Sequence, residues 1–141
     1  MIRQLAHLNF VTNDLSRIID FYVNKLGMSV KFALNNSQGE PFGYYFGCGN
    51  TTFLEFFDQA MAAKVWGGKS PGINIRDSIQ AFLSRSHEPG RVLQNLEEPR
   101  VSVTDISMGM DHSRQAWVAD PDGNQIELME YGPDSLQLIS S

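Results

Sequence analysis

The chain has 141 residues, one cysteine and a formal net charge of −5. That length suits one domain able to bury about 68–70% of its unfolded-chain surface, so no disulfide staple is needed and Cys48 has no partner to form one. No apolar run approaches the roughly 18 residues of a membrane span, and 11 scattered basic residues against 16 acidic ones offer no clustered phosphate-binding surface. Membranes and nucleic acids are thereby set aside, which leaves small molecules or proteins as partners. The single thiol, and an N-terminus without a charged-plus-apolar leader, lead us to expect a reduced cytoplasmic protein in which Cys48 is a small core residue.

Leu5 to Val11 alternates as a strand does, with Leu5, His7, Asn9 and Val11 on one face and Ala6, Leu8 and Phe10 on the other. Thr12, Asn13 and Asp14 can cap a following helix whose apolar positions are Leu15, Ile18, Ile19, Tyr22 and Leu26, with Gly27 as its stop. Strands are predicted at about 29–34, 43–48 and 52–57, separated by Asn-Ser-Gln-Gly and Cys-Gly-Asn turns. The first half therefore reads βαβββ, followed by a connector at about 59–71 with a Gly-rich end.

The second half resumes with an extended stretch at Ile73–Ile75 and a predicted helix that starts at Asp77, carries Ile79, Phe82 and Leu83, and stops before Glu88-Pro89-Gly90. Further strands are predicted at about 91–95, 101–109, 114–119 and 125–130. Asp120-Pro121-Asp122-Gly123-Asn124 is a turn signal, because Pro121 presets φ and Gly123 tolerates positive φ. Residues 132–141 read as a polar, loosely held tail.

The halves repeat one design. His7-Leu8-Asn9-Phe10 recurs as Gly72-Ile73-Asn74-Ile75, and Phe53-Leu54-Glu55-Phe56 recurs as Gln125-Ile126-Glu127-Leu128. Two βαβββ units of this size could each bury only one sheet face alone, so packing them together gives the duplication a physical purpose. Glu55 and Glu127 sit among apolar neighbours, where an unpartnered carboxylate would cost several kcal/mol. A lysine, an arginine or a cation must answer each of them. His7 by residue type alone would be an ordinary hydrogen-bonded interior histidine.

Together these segments resemble the vicinal oxygen chelate superfamily, which includes glyoxalase I, bleomycin-resistance proteins and extradiol dioxygenases. The resemblance rests on His7-Leu8-Asn9-Phe10-Val11, Asp14-Leu15, Phe21-Tyr22, Leu26-Gly27 and the run Asp120 to Leu128, and it extends to about residue 131. It implies an α+β fold in which two tandem βαβββ modules, at about 1–58 and 72–131, form a curved mixed sheet around a central cleft. It also implies metal ligands at the first and last strand of each half, which here fall on His7, Glu55, Gly72 and Glu127. Gly72 cannot coordinate, so that corner would need water, another residue such as His112, or a partner subunit.

The activity this resemblance implies is that of a glyoxalase I-like lyase or isomerase using a divalent ion such as Zn, Ni, Co or Mn. It would act on a small substrate with adjacent oxygens through an enediolate. Glu127 would be the base, Glu55 a ligand or second base, and His7 the anchoring ligand. His112, Arg114 and Asn9 are candidates for substrate contact, and a homodimer is implied. The alternative within the same family is a metal-free small-molecule binding protein of the bleomycin-resistance type. A dioxygenase site would resemble two histidines and one carboxylate, and the second histidine is missing.

Overall fold

Alternation in the first segment produces β1, His7–Thr12, which buries Phe10 and Thr12. The computed structural model describes residues 4–68, 81–84 and 101–139, with 81–84 described by backbone alone. The chain divides into two compact units, Met1–Arg76 and Asp77–Ser141.

In the first unit Asp14 caps α1, Leu15–Ile19, by accepting the Arg17 N–H at 3.1 Å. The helix then widens into a π-helical stretch, Asp20–Lys25, and Gly27 ends it with φ +71°. Ile18, Phe21 and Tyr22 are its buried residues. Strands β2 (Val30–Asn35), β3 (Pro41–Gly47) and β4 (Phe53–Asp58) complete a sheet of order β1-β4-β3-β2, with β1 parallel to β4 and the other pairs antiparallel. One face of this sheet carries Phe10, Phe46, Leu54 and Phe56 against Tyr22 of the helix. The Tyr22 ring lies 5.0 Å from Phe56 and 5.6 Å from Phe46. Each buried ring contributes roughly 1.5–3 kcal/mol of hydrophobic stabilisation.

The opposite face is divided. At one end α2, Gln59–Val65, capped by Asp58 on the Met61 N–H at 2.8 Å, covers Phe42 and Phe57. Gly43 is needed here, because a Cβ on it would meet the Phe57 ring at 2.5 Å. A helix thus stands where the sequence suggested a plain connector. The other end of the face carries His7, Asn9, Tyr45 and Glu55.

In the second unit β5 (Ala81–Ser84), β6 (Ser107–Met108), β7 (Ser113–Ala119) and β8 (Gln125–Tyr131) form a sheet of order β5-β8-β7-β6, again with its first-named pair parallel. The order repeats that of the first unit, which supports duplication at the level of topology. Ala116, Val118 and Ile126 are its buried apolar residues. Asp120 holds the β7–β8 turn by accepting the N–H groups of Asp122 and Asn124 at 3.0 and 2.8 Å, as the turn signal implied.

Three expectations are corrected. Phe82 and Leu83 lie in β5 and not in a helix, because a four-residue run paired in parallel to β8 satisfies its backbone across the sheet. The strand expected over 101–109 is reduced to Ser107–Met108 and an isolated bridge from Val103 to Val118. Residues 132–139 are not a loose tail. Ser135 is fully buried, its hydroxyl bonds Gly132 N at 2.8 Å and the His112 carbonyl at 3.2 Å, and α3, Leu136–Ile139, follows. The strands expected at 73–75 and 91–95 lie outside the described residues.

Candidate functional site

Register across β1, β4 and β3 puts Asn9 opposite Glu55 and Glu55 opposite Tyr45, so three polar side chains share one row on one face. His7 stands two residues before Asn9 on that face. Glu55 is 4% exposed, and its Oε2 accepts the Asn9 amide N–H at 2.8 Å. His7 Nε2 lies 3.5 Å from the same oxygen, while the Tyr45 hydroxyl donates to the carboxylate. Burial first, and then the hydrogen bond and charge of Glu55, push the Tyr45 phenol up to about 12. Phe32 stacks on Tyr45 at 4.3 Å, and the His7 ring meets Tyr45 edge-on at 5.6 Å. The Asn9 carbonyl oxygen is buried and has no partner among the described residues.

Glu127 is the equivalent position on β8, opposite Trp117 on β7. It is 6% exposed, and no side chain among the described residues bonds to it. Burial, and then the charge of Asp111, raise its pKa. It lines a cavity of about 430 Å³ with Asp111, Gln115, Met129, Tyr131 and Gln137, and Met110 at the rim. Asp111 is anchored: Gln137 and the Ser113 N–H donate to its carboxylate, and those bonds hold its pKa below the ordinary value. Among the described residues neither Glu55 nor Glu127 forms an ion pair with lysine or arginine.

His7, Asn9 and Glu55 are therefore brought together in the first unit. Asn9 is committed to Glu55, which makes it a positioning group for that carboxylate. Arg114 is on the opposite face of β7 from Gln115 and Trp117, paired with Glu130 at 2.9 Å, so it is not on the Glu127 face. His112 adopts a left-handed φ of +63°, a conformation costing of order 1–3 kcal/mol in a non-glycine residue. Its exposed ring contacts the Asp134 carbonyl at 3.3 Å, and it is not among the cavity's lining residues. Burial raises the Cys48 thiol to about 11, in keeping with an unreactive packing residue.

Asn9 stands opposite Glu55, and Phe82 stands opposite Glu127. Gly72, the expected counterpart of His7, lies outside the described residues. Sequence reasoning also missed Tyr45 as a partner of Glu55, although the alternation in Phe42 to Phe46 could have placed it on that face. It missed Asp111 and Gln137 altogether, since nothing in the sequence shows that residues 135–137 return to the 109–113 turn.

The sequence matches the Glyoxalase/Bleomycin resistance protein/Dioxygenase superfamily over residues 4–128. The chain belongs to that superfamily. Solved structures agree in fold. A superfamily member from Sphaerobacter thermophilus is 24% identical, with a TM-score of 0.67 over 92% of this chain and 98% of its own. An antibiotic binding protein from a Streptomyces species is 20% identical, with a TM-score of 0.69 over 93% and 98%. A lactoylglutathione lyase from Agrobacterium tumefaciens is 19% identical, with a TM-score of 0.68 over 92% and 95%. No curated protein matches the chain in sequence. No described helix is long and apolar enough to cross a membrane.

The superfamily contains both metal enzymes and binding proteins, so the donor atoms decide what each site can hold. His7 and Glu55 offer an imidazole nitrogen and a carboxylate oxygen on one spot, a pair that suits a borderline divalent ion. Asn9 and Tyr45 orient Glu55 in the way that supporting hydrogen bonds orient a ligand carboxylate. Among the described residues no three His, Cys, Asp or Glu side chains come together as a ligand group.

Proposed function

We propose that this superfamily member is a divalent-metal-dependent lyase or isomerase of the glyoxalase I type, acting on a small substrate with adjacent oxygens. The observation that carries the reading is Glu127, a buried carboxylate that lines a cavity and has no cationic or hydrogen-bonding partner among the described residues. Burial of a carboxylate in that state is costly, and a base that must accept a proton is one use that justifies the cost. In this reading Glu127 removes the proton from the carbon beside the substrate carbonyl. By family resemblance, His7, Glu55 and Glu127 are the residues proposed to hold the ion. The ion, when bound, supplies Lewis-acid polarisation of the substrate oxygens. Asn9 and Tyr45 hold the Glu55 carboxylate in one orientation, which spares it reorganisation during turnover.

The test is elemental analysis and calorimetric titration of the purified full chain with Zn, Ni, Co and Mn, followed by turnover of 2-oxoaldehydes with and without a thiol. About one tightly held ion per chain is expected, lost in His7→Ala and Glu55→Gln. Glu127→Gln should abolish turnover. A chain that takes up none of these ions and shows no turnover after reconstitution overturns the proposal.

A second reading, a metal-free binding protein, is favoured by one feature. Glu55 already receives donors from Asn9 and Tyr45, so it can be satisfied without an ion, and Phe32 and Tyr45 offer stacked rings to a flat ligand. The homodimer and the cytoplasmic location are proposed from family resemblance and composition. Light scattering that gives a monomer at micromolar concentration would remove the dimer.

A further inference from the structure

We propose that the cavity at Glu127 selects a ligand bearing a protonated amine or comparable cationic nitrogen beside an apolar body, and rejects anionic ligands. The proposal deepens the reading above, because it takes this cavity to be where substrate enters.

Among the described residues its lining is one-sided in charge. Asp111 and Glu127 are carboxylates, Gln115 and Gln137 are neutral amides, Tyr131 is a phenol, and no described lysine, arginine or histidine contributes. Glu127 is 6% exposed, lines the cavity and has no partner among the described residues, so its carboxylate acceptors are open to whatever enters. Asp111 differs in being fixed. Gln137 and Ser113 hold it from behind, which orients a permanent negative charge on the wall. A carboxylate or phosphate entering here meets like charge on two sides with no compensating cation among the described residues, whereas an ammonium donates to both.

The remaining surface suits carbon. Met110 and Met129 adapt to irregular apolar shapes, and the Tyr131 ring adds an aromatic wall that favours a cation near its face.

The experiment uses the full chain with methyl-labelled methionine in chelator-containing buffer, titrated with benzylamine, benzyl alcohol and benzoate. Benzylamine is expected to shift the Met129 and Met110 methyl signals, and to bind about tenfold more tightly than benzyl alcohol, with benzoate weaker still. Asp111→Asn should weaken benzylamine about tenfold while leaving benzyl alcohol unchanged. Benzoate binding as tightly as benzylamine overturns the proposal. So does an Asp111→Asn chain with unaltered benzylamine affinity, or shifts confined to Met28 and Met61 outside the cavity. If Asp111→Asn fails to fold, Gln115→Glu should strengthen benzylamine and further weaken benzoate, and unchanged affinities overturn the idea. Amine preference without metal uptake removes the catalytic reading and keeps this one; metal uptake with anion preference removes this one alone.

Discussion

Glu55 and Glu127 occupy equivalent strand positions, are almost equally buried, and are treated in opposite ways by their surroundings. Glu55 has an amide, a phenol and an imidazole around it in the first unit. Glu127 has a cavity, and its nearest named charge is the repulsive one of Asp111. Duplication supplied the same residue twice, and the neighbouring side chains made one a held group and the other a free one. Holding suits a ligand or a structural anchor, and freedom suits a group that must exchange protons or bind something that arrives.

The largest expected effect concerns the scaffold under each glutamate. Phe56, fully buried beside Glu55, touches the rings of Phe10, Tyr22 and Phe46. Phe56→Ala should cost about 3–5 kcal/mol, and Ile126→Ala beside Glu127 about 2–5 kcal/mol. Urea denaturation of both variants measures this, and a smaller loss for Phe56 would show that the ring cluster is not the principal support of the first sheet.

The two glutamates should next differ in sign. Glu55→Leu strands the Asn9 amide and the Tyr45 hydroxyl, and stability should fall by about 1–3 kcal/mol. Glu127→Leu removes an unpartnered buried carboxylate, and stability should rise by roughly 1 kcal/mol as activity disappears. Equal losses in the two variants, measured by the same denaturation, would break the comparison, because Glu127 would then have a partner that holds it.

The first half of the fold was legible from local chemistry. Asp14 and Gly27 bracket the helix region, and alternation from Leu5 to Val11 correctly gave the face shared by His7 and Asn9. The second half was harder for a definable reason. Ala81-Phe82-Leu83-Ser84 is short and apolar, and such a run reads equally as a helix face or a buried strand until its partner is known. Gly72, matched to His7 through the repeat, lies outside the described residues. Glu55 and Glu127 were found because buried carboxylates stand out in an apolar run. Asp111 was not found, because its role depends on Gln137 arriving from 26 residues away.

The smallest expected effect is a titration. Tyr45 is neutral in the folded chain up to about 12, against an ordinary phenol near 10, because burial and the adjacent Glu55 charge both oppose its ionisation. The folded state therefore retains a proton that the unfolded state loses, so this contribution to stability is fully present below about pH 10 and is lost as pH rises toward 12. The phenolate absorbance that disappears in Tyr45→Phe isolates the group. In Glu55→Gln the same step should move down toward 10 without reaching it, since burial is the larger cause and remains. A midpoint unmoved by Glu55→Gln would mean that the phenol does not bond to that carboxylate, and Asn9 alone would then be the donor that holds Glu55.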